Sequence, residues 1–142
     1  MSTGKQTILK TDRYTDFVQS LDLIIIALRS SSARIRREEY FEDDKCDLSV
    51  AVALKPAGFS RDHIDLQAKA TVKLTSKRSG CLFELSVTYE LHFHTKHPPD
   101  AKLVRRFADS DAHVVLWPYL REYVSDVSAR MYVPPIILPL SG

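Results

Sequence analysis

A chain of 142 residues with 44% hydrophobic and 27% charged residues has the balance of one globular domain with a single core, which excludes disorder except at the ends. A formal net charge of +2 and a pI near 8.6 are too mild to call for a nucleic-acid partner. The longest apolar run, residues 23–28, is far short of the about 20 residues that span a bilayer, and the polar first sixteen residues lack the apolar stretch of a signal peptide. The expectation is a cytoplasmic protein with no membrane partner. Cys46 and Cys81 stand far apart, so they form no metal or redox motif and fit a reducing compartment.

The first twenty residues read as an N-terminal extension. Tyr14, Phe17, Val18 and Leu21 have helical spacing, which predicts a short helix over residues 12–20. Residues 23–37 begin β-branched and end basic, a long strand with weak alternation. An acidic connection carrying Tyr40 and Phe41 follows. Residues 47–54 alternate cleanly, with Leu48, Val50, Val52 and Leu54 on one face, and Lys55-Pro56-Ala57-Gly58 reads as a turn. Residues 63–75 alternate again, with Ile64, Leu66, Ala68, Ala70, Val72 and Leu74 opposite Asp65, Gln67, Lys69, Thr71 and Lys73. A polar hairpin connection over residues 76–80 leads to a fourth strand, residues 81–94, with Phe83, Leu85, Val87, Tyr89, Leu91 and Phe93 on its apolar side.

Four strands with one apolar face each make an antiparallel sheet whose other face is wet, and the apolar face needs a cover. The second half of the chain provides one. After Pro98-Pro99 a short helix is predicted over residues 100–108, and Ser110 caps a longer helix running to about Met131. Its apolar stripe is Val114, Trp117, Leu120, Val124, Val127 and Met131. Pro118 predicts a start or a kink there, since proline inside a helix is worth about 3 kcal/mol of destabilisation. Residues 133–140, with three prolines, predict an extended apolar segment lying on something. The whole is a single α+β domain: four strands, two helices, an extended end. Trp117, Tyr119, Tyr123, Met131, Tyr132 and that end cannot all reach one core, so an oligomer, a groove or both are expected.

The run Leu116-Trp117-Pro118-Tyr119-Leu120-Arg121-Glu122-Tyr123-Val124-Ser125 resembles the late signature of the SecB chaperone family, in which an aromatic-Pro-Tyr-x-Arg-Glu segment opens the long helix. Ala129-Arg130-Met131-Tyr132-Val133-Pro134-Pro135-Ile136-Ile137-Leu138 resembles the family's helix exit. The resemblance covers residues 22–140 in architecture and is specific over residues 116–138. It implies a four-stranded antiparallel sheet with long helices, assembled as a dimer of dimers, that holds unfolded polypeptides without ATP. Family members that serve export dock on the SecA motor through acidic positions on the wet sheet face and carry an acidic tail. Here the matching first strand offers Arg29, Arg34, Arg36 and Arg37, the third-to-fourth strand connection offers Lys77 and Arg78, and the sequence stops at Gly142. Reversed charge repels the same partner, which argues against SecA. The wording of the motif is similar to solitary SecB-like chaperones of toxin–antitoxin–chaperone modules, which implies an unstable antitoxin as client and a place in stress response or antiviral defence.

A chaperone of this kind needs no catalytic group or cofactor, only apolar area with polar rims. At about 25 cal/mol per Å², a few hundred Å² of buried client surface gives several kcal/mol before ordering costs. The candidate client contacts are Tyr40, Phe41, Leu48, Trp117, Leu120, Val124, Met131, Tyr132 and Val133. For Leu120 and Val124 the competing role is core, since a helical apolar stripe usually packs inward. His92 and His94 share a strand face, but no third ligand closes a metal site. Arg34, Arg36 and Arg37 with Lys69 and Lys73 form a mixed-charge face that lacks the aromatic platform of a nucleic-acid binder. With only four glycines, Gly4, Gly58, Gly80 and Gly142, no phosphate or dinucleotide loop is present.

Overall fold

A computed structural model describes residues 13–39, 45–131 and 136–141. The elements in chain order are α1 (Arg13–Gln19), β1 (Leu21–Ile35), a 3-10 turn (Arg37–Glu39), β2 (Cys46–Phe59), β3 (His63–Ser76), β4 (Gly80–Thr95), α2 (Ala101–Asp109) and α3 (Asp111–Arg130). The strands form one antiparallel sheet in the order β1-β4-β3-β2, so β4 and β3 are central and β1 and β2 are edges.

Period-2 patterning accounts for the sheet's two faces. On β3, Ile64, Leu66, Ala68, Ala70 and Val72 are buried, and on β4 so are Phe83, Leu85, Val87, Tyr89, Leu91 and Phe93. The alternate residues point to an open face where Lys73 pairs with Glu84 at 3.5 Å and His92 Nδ1 lies 2.6 Å from Asp65. The β3–β4 turn needs a left-handed residue, which Gly80 supplies at φ 76°. Arg36 wraps this turn, donating from Nε to the Cys81 carbonyl at 2.8 Å and from its terminal nitrogen to the Ser79 carbonyl.

The first strand follows its sequence reading and the second departs from it. The alternation in β1 is weak because register shifts fall between Leu23 and Ile25 and between Leu28 and Ser30, each of which re-aims the side chains beyond it. The Lys55–Gly58 turn does not form. Pro56 stays in β2 opposite Leu66, with a register shift before Gly58, and the chain reverses only at residues 60–62. An edge strand leaves every second N–H outside the ladder, so a proline without one is accommodated there.

The helices cover the apolar face. Asp100 caps α2, its carboxylate accepting from the Leu103 N–H at 2.9 Å, and Arg13 braces the same carboxylate at 2.7 Å. Phe107 of α2 packs edge-on against Phe93 at 5.2 Å and Phe17 of α1 at 6.4 Å. Tyr14 donates to Asp111 at 2.5 Å, and Arg106 lies over its ring, tying α1 to the junction of α2 and α3.

In α3 the buried positions are Ala112, Leu116, Leu120, Val124 and Ser128, a strict four-residue spacing. Val114 therefore falls off the predicted stripe and is 72% exposed. Pro118 neither starts nor ends the helix. It sits on the exposed side, four residues after Val114, where water can satisfy the carbonyl that loses its partner. Ser110 precedes α3 but does not cap it by its side chain, which instead donates to the Arg106 carbonyl at 2.6 Å.

Residues 136–141 are extended, as predicted, and run back along α3 as a strap. Leu138 is fully buried and joins the core cluster. If the strap is part of the core, Leu138→Ala will lower unfolding stability by about 2–5 kcal/mol in urea titration, whereas Ile137→Ala, at a 64% exposed position, will change it by under about 0.5 kcal/mol.

Candidate client-binding grooves

The strap lies outside the sheet, so its main-chain groups need other partners. Side chains of α3 supply them. The Ile136 N–H donates to Ser128 Oγ at 2.8 Å, Arg121 Nε donates to the Leu138 carbonyl at 2.7 Å, and Trp117 Nε1 donates to the Pro139 carbonyl at 2.7 Å. The strap thus runs antiparallel to the helix, with Ile136 and Leu138 buried beneath it and Ile137 and Leu140 turned outward at 64% and 83% exposure.

Two apolar grooves flank α3. The first, of about 1030 Å³, lies toward β1 and β4 and is lined by Ile26, Leu28, Tyr89, Tyr119, Tyr123 and Ile137. Glu122 and Asp126 stand on its rim, and Tyr123 donates to Ser31 Oγ at 2.8 Å across it. The second, of about 800 Å³, lies toward β2 and is lined by Leu48, Val50, Val52, Val114 and Trp117. Pro118 and Leu140 line both grooves. Concave, mostly apolar surface with a few polar groups at its edge is the form of a binding site.

The floor of the first groove has one perturbed group. Burial, followed by the charges that Tyr123 and Glu122 would present, pushes the Tyr89 phenol up to about 12. Its ring meets that of Tyr123 edge-on at 6.4 Å.

Of the residues singled out from sequence, Leu48 and Trp117 line the second groove. Leu120 and Val124 are fully buried beneath α3, and Met131 is half-buried at its end. Tyr40, Phe41, Tyr132 and Val133 lie outside the described residues. The sequence reading omitted Tyr89, Val114, Ile26, Leu28 and Leu140 as contacts. Val114 is left outside because the packed helix buries the four-residue stripe Ala112, Leu116, Leu120 and Val124.

The basic residues divide between ion pairs on the sheet, the β3–β4 turn and the exit of α3. Arg29 pairs with Glu90 at 3.0 Å, and Arg34 lies in register with Glu84. Arg36 is bound to the hairpin turn, and Arg37, beyond the end of β1, donates to the Met131 carbonyl at 2.7 Å. Lys77 and Arg78 are exposed in the β3–β4 turn. His63 pairs with Asp62 as His92 does with Asp65, and among the described residues no group of three His, Cys, Asp or Glu side chains could hold a metal ion. Nor is any helix among them long and apolar enough to cross a membrane.

The architecture is the SecB-like α+β fold. The SecB-like chaperone Rv1957 of Mycobacterium tuberculosis, solved in complex with a ChAD peptide from the Rv1956 HigA1 antitoxin, superposes with a TM-score of 0.68 over 88% of this chain and 93% of that one, at 16% identity. A protein of unknown function from Streptococcus agalactiae aligns over 84% of this chain and 96% of its own at 11% identity, with a TM-score of 0.48, too loose a likeness to carry an argument. No family model and no curated protein matches the sequence.

Tyr89 offers a pH test. With its folded pKa above the unfolded value, the stability it contributes is fully present below about pH 10 and is lost as pH rises through about 12. Tyrosinate absorbance during alkaline titration will show a late-titrating phenol that Tyr89→Phe removes, and the variant's stability will fall less steeply across that window.

Proposed function

We propose that this chain is an ATP-independent chaperone of SecB type that holds extended, aggregation-prone segments in the grooves on either side of α3, with the antitoxin of a toxin–antitoxin–chaperone module as its dedicated client in the cytoplasm. The observation that carries this reading is the pair of solvent-open apolar grooves on a fold shared with a SecB-like chaperone that binds an antitoxin peptide. The site asks for no chemistry beyond burial of apolar surface, and two grooves on one protomer give a flexible client several weak anchors. Tyr40, Phe41, Met131, Tyr132 and Val133 are proposed to extend the same surface.

The assembly proposed is a dimer of dimers. Among the described residues β1 is an edge strand without a partner on its outer side, and it exposes Leu23, Ile24, Ile25 and Leu28 at between 37% and 54%. Free apolar edges recruit other strands, and a second copy of β1 would satisfy both its hydrogen bonds and its side chains. No observation favours delivery to the SecA motor: Glu84, Glu90 and Asp65 on the open sheet face stand beside Lys73, Arg29 and His92, so that face presents no acidic field to a docking partner. The same pairing weakens the case for a nucleic-acid site.

Mixed at equal stoichiometry without ATP, the protein is expected to suppress light scattering by an antitoxin encoded beside a toxin gene. Unchanged scattering would remove the chaperone reading. Val114→Asp places a charge in the second groove at an exposed position, so it will weaken capture by about tenfold while leaving the unfolding midpoint nearly unchanged. For the assembly, sedimentation velocity should show an oligomer that Ile25→Lys reduces toward monomer; a wild-type monomer under the same conditions would rule the assembly out.

A further inference from the structure

The two grooves meet over α3 at Pro118, where the end of the strap lies across them. Leu140 and Pro118 line both, and Pro139 and Ser141 line the second. The strap is held unevenly. Its first part is anchored by two buried side chains, Ile136 and Leu138, and by the bonds from Ser128 and Arg121. Its last part has no buried side chain among the described residues: Leu140 is 83% exposed, and the polar contact that holds the end there is the Trp117 indole N–H on the Pro139 carbonyl.

From this we propose that the strap beyond Leu138 is a displaceable latch, and that an extended apolar client segment replaces it, joining the two grooves into one channel across α3. The inference rests on the chaperone reading above and adds a mechanism to it. The occupant's chemistry follows from what the latch itself is. Trp117 grips a main-chain carbonyl of an extended apolar chain, a group that any polypeptide carries and that no side-chain sequence alters. A client running over Pro118 would present its own carbonyl to the same indole N–H and its own side chain where Leu140 now sits. In this mechanism the hydrogen bond is exchanged rather than lost, and the buried part of the strap stays in place, so the core is undisturbed. Trp117 is then a positioning residue with two partners in turn.

Trp117 is the sole tryptophan of the chain, so its fluorescence reports the exchange directly. The probe is reduced, carboxymethylated α-lactalbumin, a permanently unfolded chain, with its own tryptophans replaced by phenylalanine. Binding to the full chain will shift the Trp117 emission. A chain ending at Leu138 will keep its thermal midpoint and bind the probe about five- to tenfold more tightly, because the competitor for the channel is gone. In a Trp117→Phe background, which lacks the exchanged bond but keeps a ring in the groove, the same shortening will change affinity by less than about twofold. Tight binding with unchanged emission and equal affinities for the full and shortened chains would overturn the latch and leave the chaperone reading standing. Absence of any binding would remove both.

Discussion

One geometric constraint organises this molecule: the apolar face of the sheet is wider than the cover laid on it. Four strands at about 4.8 Å spacing span roughly 15–20 Å, while a helix with its side chains is about 10 Å across. α3 runs over the face with the strap alongside, and α1 and α2 close one end, where Phe17, Phe93 and Phe107 interlock. The centre, β3 and β4, is sealed to nearly zero exposure. The flanks over β1 and β2 are not. Both grooves and the exposed apolar edge of β1 are consequences of that shortfall in width.

The strap shows how an extended apolar segment can be held without a strand partner. Its carbonyls take hydrogen bonds from an indole and a guanidinium, and one of its N–H groups bonds to a buried serine hydroxyl, all three from a single helix. Trp117, Arg121 and Ser128 stand four and seven residues apart, on one side of α3. Ser128 is the case where a polar residue completes an otherwise apolar stripe. It is fully buried because its hydroxyl also donates to the Ser125 carbonyl at 3.1 Å, so neither role is left unsatisfied.

The open face of the sheet has a different character. Arg29–Glu90 and Lys73–Glu84 lie there as exposed ion pairs, each worth little to stability. Several arginines that look alike in sequence have separate structural tasks. Arg36 closes the β3–β4 hairpin around Gly80, and Arg37 joins the chain beyond β1 to the exit of α3. A basic count on a strand is therefore a poor guide to a basic surface.

The sequence by itself determined the α+β class, the two inner strands with their apolar faces, the position of both long elements after Pro98-Pro99, and an extended end that must lie on the body. Those follow from local periodicity and from prolines, which act over a few residues. It misjudged Lys55–Gly58 because whether a proline breaks a strand depends on whether that strand is an edge, and edge position is decided by sheet order. It placed Val114 inward because spacings of three and four both look helical, and only the packed sheet selects the four-residue stripe through Ala112, Leu116, Leu120 and Val124. It could name Trp117 as a contact but not its partner, since Pro139 lies twenty-two residues away and reaches the indole only when the chain has folded back. The grooves themselves belong wholly to the tertiary structure: they are spaces between elements, set by the relative widths of sheet and cover, and no run of residues records them.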